Sequence, residues 1–157
     1  MLTTIQRLVD TLGQNGDGLS VQKILIVDDD KDIVNWLRTA LSESGFKARG
    51  AFNGQEAMLL VKEDPPDLIL LDLKMPGMDG VEVIQKLKEQ PDTADIPIIV
   101  ITGSSIDHDS DTIKVLGMGA GHMLTKPFSL DELVSEIKRL ELPPAAGSEK
   151  PTTQKRD

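Results

Sequence analysis

Lys23-Ile24-Leu25-Ile26-Val27-Asp28-Asp29-Asp30 decides the fold. An apolar run without polar alternation reads as a strand buried on both faces, the habit of a parallel sheet covered by helices. Three carboxylates close it. Asp30 is placed to cap a following helix, in which Ile33, Trp36, Leu37, Ala40 and Leu41 recur at helical spacing before Gly45 ends the pattern.

Outward from this stretch the pattern alternates. Residues 46–52 read as a weaker second strand and residues 54–62 as a second helix, which Pro65-Pro66 follows as a breaker. Leu68-Ile69-Leu70-Leu71-Asp72 is a third strand, residues 81–89 a helix, and residues 97–102 a fourth strand. Residues 112–116 form the core of another helix, and residues 122–125 a short fifth strand. Ser129 and Glu132 make a capping box for a last helix, whose stripe is Leu130, Leu133, Val134 and Ile137. Five strands alternating with five helices predict an α/β fold, a parallel sheet with helices on both faces. The common five-stranded order, 2-1-3-4-5, makes strands one and three neighbours where the winding reverses.

The folded domain is expected to span residues 23–142. Before it, Leu2, Ile5, Leu8, Val9 and Leu12 predict an amphipathic helix over residues 1–12, and residues 14–18 a flexible link, so that residues 1–22 stand apart. That helix is expected either to dock on the domain or on a second copy, or to be a frayed terminus, and the protein to be a monomer or weak homodimer. Residues 143–157, which open on Pro143-Pro144, read as a disordered tail. They are too few and too polar for an output domain.

The chain has 157 residues, no cysteine, and a formal charge of −9. Absence of cysteine excludes disulfides, thiolate metal sites and thiol nucleophiles. The acidity opposes binding to nucleic-acid phosphates or anionic lipid, and three Phe and one Trp leave little for base stacking. No apolar run approaches the ~20 residues of a membrane span, and the N-terminus lacks a secretory pattern, so a cytoplasmic address is expected.

The chemistry gathers at strand ends. Asp28 and Asp29 close the first strand and Asp72 the third, so three carboxylates should converge at the carboxyl edge of the sheet. Two such charges about 4 Å apart repel by roughly 4 kcal/mol at an effective dielectric near 20. A divalent cation would relieve that, and oxygen-only ligands select Mg²⁺. Thr102 closes the fourth strand. Lys126 follows the fifth, and a cis or bent bond to Pro127 would aim its ammonium at the same edge. Asp30 reads as a cap and not a ligand.

With these spacings, Ile24 to Asp30, Leu70-Leu71-Asp72-Leu73-Lys74-Met75-Pro76-Gly77-Met78-Asp79-Gly80, Val100-Ile101-Thr102-Gly103 and Leu124-Thr125-Lys126-Pro127-Phe128 resemble the receiver domain of bacterial two-component response regulators. The resemblance implies a flavodoxin-like receiver fold and a phospho-acceptor signalling protein of the stand-alone, chemotaxis-regulator kind. It implies Asp72 as acceptor and Mg²⁺ on Asp28, Asp29, Asp72 and the backbone carbonyl of Lys74. Thr102 would hydrogen-bond the phosphoryl group and Lys126 pair with it. A sensor histidine kinase or histidine phosphotransfer protein would be the donor, and an unnamed protein the downstream target. The family commonly has an aromatic residue three positions before its Lys, where this chain has Met123, and the segment from Thr102 to Lys126 is longer than usual. Thr102 and residues 103–111 are therefore expected to carry the conformational change, with Met123 following.

Other patterns fail on their own terms. Asp28-x-Asp30-x-Asp32 and Asp107-x-Asp109-x-Asp111 open like calcium loops but lack the Gly at position six and the Glu at position twelve. Gly117-Met118-Gly119-Ala120-Gly121-His122 misses the last glycine of a dinucleotide loop and precedes a strand. Ser104, Ser105, His108 and Asp109 are too close in sequence to orient one another as a triad. An Asp-nucleophile phosphatase would want a second Asp where Lys74 stands. A receiver that binds partners without phosphorylation is the other alternative, although no acidic or acceptor residue is lost. No enzyme activity is expected beyond promotion of the protein's own phosphotransfer and dephosphorylation.

Overall fold

The computed structural model describes residues 21–75, 77, 80–103, 114–115, 117–119 and 122–141. Its elements are β1 (Lys23–Val27), α1 (Lys31–Glu43), β2 (Lys47–Ala51), α2 (Gly54–Glu63), β3 (Leu68–Asp72), α3 (Gly80–Lys88), β4 (Ile98–Thr102), β5 (His122–Thr125) and α4 (Leu130–Glu141). The five strands form one parallel sheet in the order β2-β1-β3-β4-β5, as expected. The helix expected over residues 112–116 lies mostly outside the described residues, although Lys114 and Val115 are helical and Val115 is buried. The expected helix over residues 1–12, the link and the tail also lie outside them. Gln22–Leu133 form one compact unit, and residues 134–141 fall in a second, where Ile137 is buried and Arg139 pairs with Glu136 at 2.8 Å.

The apolar runs do what their lack of alternation implies. Every residue of β3 and β4 is buried, as is β1 beyond Lys23. Burying one such Leu, Ile or Val stabilises by about 1.5–3 kcal/mol. Asp67 tethers the start of β1, its carboxylate accepting the amides of Gln22 and Lys23 at 3.0 and 2.8 Å.

Asp30 caps α1 as read, accepting the Asp32 and Ile33 amides at 3.0 and 3.3 Å. The helix ends in a Schellman arrangement: Gly45, at φ 102°, donates to Ser42, and the Phe46 amide donates back to Leu41. Its buried face differs from the expected one. Val34, Leu37, Ala40 and Leu41 turn inward, while Ile33 is half-buried and Trp36 is 46% exposed. Positions 33 and 36 flank the stripe by about one residue's 100° turn, so a small rotation decides them. Gly50 of β2 anchors that rotation, since a Cβ there would collide with Val34 Cγ1. The Trp36 ring rests against Phe128 instead, centroids 6.2 Å apart.

Candidate functional site

Strand register builds the site. β1 and β3 pair Val27 with Leu71, so Asp28 and Asp72 leave the sheet side by side. β4 and β5 pair Thr102 with Thr125, which sets Lys126 next along the same edge. Asp28 and Asp72 are buried, at 2% and 5% exposure, whereas Asp29 is exposed. One carboxylate oxygen from each of Asp28, Asp29 and Asp72 falls within 4.8 Å of the others.

Lys126 is the cation of this edge. Its Nζ lies 3.1 Å from Asp28 Oδ2 and 3.7 Å from Asp72 Oδ2. Its peptide bond to Pro127 is cis, and its amide donates to the Thr102 carbonyl at 2.7 Å. The closer tie to Asp28 was not legible in sequence, because it joins residues 98 apart. Asp28 also folds back on its own loop, accepting the Asp30 amide at 2.9 Å. Thr102 closes β4 fully buried. Met123, on β5, is half-buried and packs against the central core.

The acceptor candidate is held by its own backbone. Lys74 N–H donates to Asp72 Oδ1 at 3.2 Å, and Leu73 N–H donates to the Ile101 carbonyl at 3.3 Å. Burial, with the Asp28 charge next, pushes the Asp72 carboxyl up to about 6, against the opposing pull of the Lys74 amide and Lys126. Burial pulls the Lys126 ammonium down, but its hydrogen bond to Asp28 and the charges of Asp72, Asp28 and Asp30 outweigh that and hold it above its ordinary value. Three carboxylates thus face one ammonium, and a site with that surplus of negative oxygen suits a hard divalent cation.

Two of the patterns set aside in sequence have structural uses. Asp30 is occupied as a cap, and Gly119, at φ 102°, serves a turn. The polar run of residues 104–111 lies outside the described residues. Among the described residues no helix is long and apolar enough to cross a membrane.

A parallel sheet in this order, with an acidic pocket of Asp28, Asp29 and Asp72 at its carboxyl edge, defines a receiver domain with the pocket typical of a phospho-acceptor site. Residues 24–138 match the response regulator receiver domain, and the chain belongs to that family. It is 40% identical over 118 residues to the response regulator MprA of Mycolicibacterium vanbaalenii, covering 75% of this chain and 49% of that protein. The chain thus spans about half the length of this curated relative. Among solved structures, the chemotaxis protein CheY4 of Vibrio cholerae superimposes with a TM-score of 0.71 at 26% identity, covering 77% of this chain and 99% of the other. The signal receiver domain of a signal transduction histidine kinase from Syntrophus aciditrophicus gives 0.69 at 35% identity, covering 83% and 95%. The family is one of two-component signalling receivers and not of classical enzymes, and histidine kinases are its general partners.

Proposed function

We propose that Asp72 accepts a phosphoryl group from the phosphohistidine of a histidine kinase or histidine phosphotransfer protein, and that the aspartyl phosphate alters a protein-binding surface. One Asp72 oxygen attacks phosphorus, the P–N bond of the donor breaks, and its electron pair stays on the imidazole nitrogen. Such transfer is loose and needs positioning and charge neutralisation more than covalent help. The observation that carries the reading is the meeting of three carboxylates with one ammonium at a single sheet edge.

Each residue has a part in this reading. Lys126, close to Asp28 and Asp72, favours the ionised carboxylate and pairs with the incoming phosphoryl oxygens. The Lys74 amide holds Asp72 Oδ1, and Oδ2, which faces the Lys126 ammonium at 3.7 Å, is the oxygen that attacks. Thr102 supplies a hydroxyl to the transferred group. Asp28, Asp29, Asp72 and the main-chain carbonyl of Lys74 are the groups that would hold Mg²⁺. When bound, Mg²⁺ neutralises charge on the phosphoryl oxygens. In this reading the protein works in the cytoplasm, with its histidine donor.

Incubation with acetyl phosphate and Mg²⁺, followed by intact-mass measurement, tests the reading. One phosphoryl group is expected on the wild-type chain and none on Asp72→Asn. Equal labelling of the two rules Asp72 out as the acceptor.

A further inference from the structure

Gly80 opens α3 directly against the acceptor's backbone. A Cβ at this position would lie 2.6 Å from the Asp72 carbonyl oxygen, 2.6 Å from Leu73 Cα and 3.1 Å from Leu73 Cδ2. The first two are main-chain atoms, which have no rotamer to give way with. The close approach has a use. Gly80 N–H donates to the Leu73 carbonyl at 3.0 Å, and the amide of the same peptide group, that of Lys74, donates to Asp72 Oδ1 at 3.2 Å. One planar peptide therefore carries the start of α3 on its carbonyl edge and the acceptor carboxylate on its amide edge. A peptide plane resists twisting, so a displacement at one edge reaches the other. Hydrogen bonds in such a chain also polarise one another.

From this we infer that Gly80 is a positioning residue for phosphotransfer: by lacking a side chain it lets the first amide of α3 fix the Leu73–Lys74 peptide, and through it the orientation of Asp72. The inference rests on Asp72 being the acceptor. A methyl group at residue 80 must push α3 and this peptide apart by most of an ångström to reach ordinary contact. Misplacement on that scale costs on the order of 100-fold in rate.

The test compares Gly80→Ala with Gly50→Ala, each measured for melting temperature, Mg²⁺ affinity by calorimetry, and initial rate of phosphorylation by acetyl phosphate. Gly50 is the control because its Cβ would also collide, with Val34 Cγ1, but in the α1–β2 contact and not against the acceptor's backbone. Gly80→Ala is expected to slow phosphorylation about 10–100-fold, to weaken Mg²⁺ binding, and to shift the Lys74 amide proton upfield as its hydrogen bond lengthens. Gly50→Ala should lower the melting temperature while keeping a rate within about threefold of wild type and an unmoved Lys74 resonance. Equal rates for the two variants overturn the inference. If Gly80→Ala does not fold, an amide-to-ester replacement at residue 80, made by segment ligation, removes the hydrogen bond without adding a side chain. It is expected to slow the reaction several-fold, and an unchanged rate again overturns the inference. Failure of the wild-type chain to take label strikes the acceptor reading itself, a result separate from any difference between variants.

Discussion

As the proposed acceptor, Asp72 combines two demands that oppose each other. A nucleophile must be ionised, yet burial and the neighbouring Asp28 raise its carboxyl to about 6. The folded chain therefore binds a proton there more tightly than the unfolded chain, whose value is near 3.8. The stability this gives is fully present below 3.8 and is lost as pH rises through about 6. Above that, the ionised carboxylate opposes folding. Asp72→Asn removes the charge, and in the absence of divalent metal it is expected to stabilise the chain at pH 7.5 by on the order of 1–3 kcal/mol. Denaturant melts at pH 4 and pH 7.5 check this: the gain should appear only at the higher pH. Mg²⁺ should reverse the ranking. At about 100 times its dissociation constant, ligand binding stabilises by roughly 2.7 kcal/mol, and the wild-type chain should gain far more of this than Asp72→Asn. Lys126 answers a different question. Truncation at Lys126→Ala leaves the buried Asp28 without its 3.1 Å partner, which should destabilise by about 1–3 kcal/mol as well as slow labelling. An unchanged melting temperature would show that the pair contributes nothing.

At the scale of elements, caps and helix ends separate structural acids from chemical ones. Asp30 stands beside Asp28 and Asp29 in sequence, but its carboxylate is engaged by the amides of Asp32 and Ile33. Asp30→Ala should cost about 1 kcal/mol of stability and leave Mg²⁺ affinity within about twofold. A loss of Mg²⁺ binding comparable to that of Asp29→Ala would make Asp30 a ligand after all. Gly45→Ala, which forces a side chain to φ 102° at the end of α1, should destabilise by about 1 kcal/mol with labelling unchanged. Such caps are local and were readable. Ser129 and Glu132 exchange hydrogen bonds of 3.0 Å each, the reciprocal box that their spacing foretells. The equivalent pair at α2, where Asn53 caps the Glu56 amide and Glu56 reaches back to the Phe52 amide, passed unread although its spacing is the same. The inward face of α1 is less legible, for another reason. A 3.6-residue period cannot choose between Val34 and its neighbours Ile33 and Trp36 when all three are apolar. Gly50 on the adjacent strand makes the choice by letting Val34 approach.

For the whole molecule, strand order is what turns scattered residues into a site. Apolar runs and polar strand ends are local signals, so β1, β3 and β4 and the gathering of Asp28, Asp72, Thr102 and Lys126 at one edge are legible in the sequence. Which charge pairs with which was not. Lys126 sits nearer Asp28 than Asp72, and Gly80 meets the backbone of Asp72 and Leu73, through contacts that depend on fractions of an ångström and on register between distant segments. The chain's formal charge of −9 adds a general effect, since any salt screens self-repulsion. Mg²⁺ at the site should act beyond that, stabilising at millimolar concentration where NaCl of equal ionic strength does not. The central claim is that a single carboxylate, at Asp72, takes the phosphoryl group. Borohydride reduction of the phosphorylated chain converts an aspartyl phosphate to homoserine, and peptide mass mapping then locates it. The account expects homoserine at position 72 alone, and only in samples that held Mg²⁺. Homoserine at position 28 or 29, or a label that borohydride leaves untouched, would contradict it.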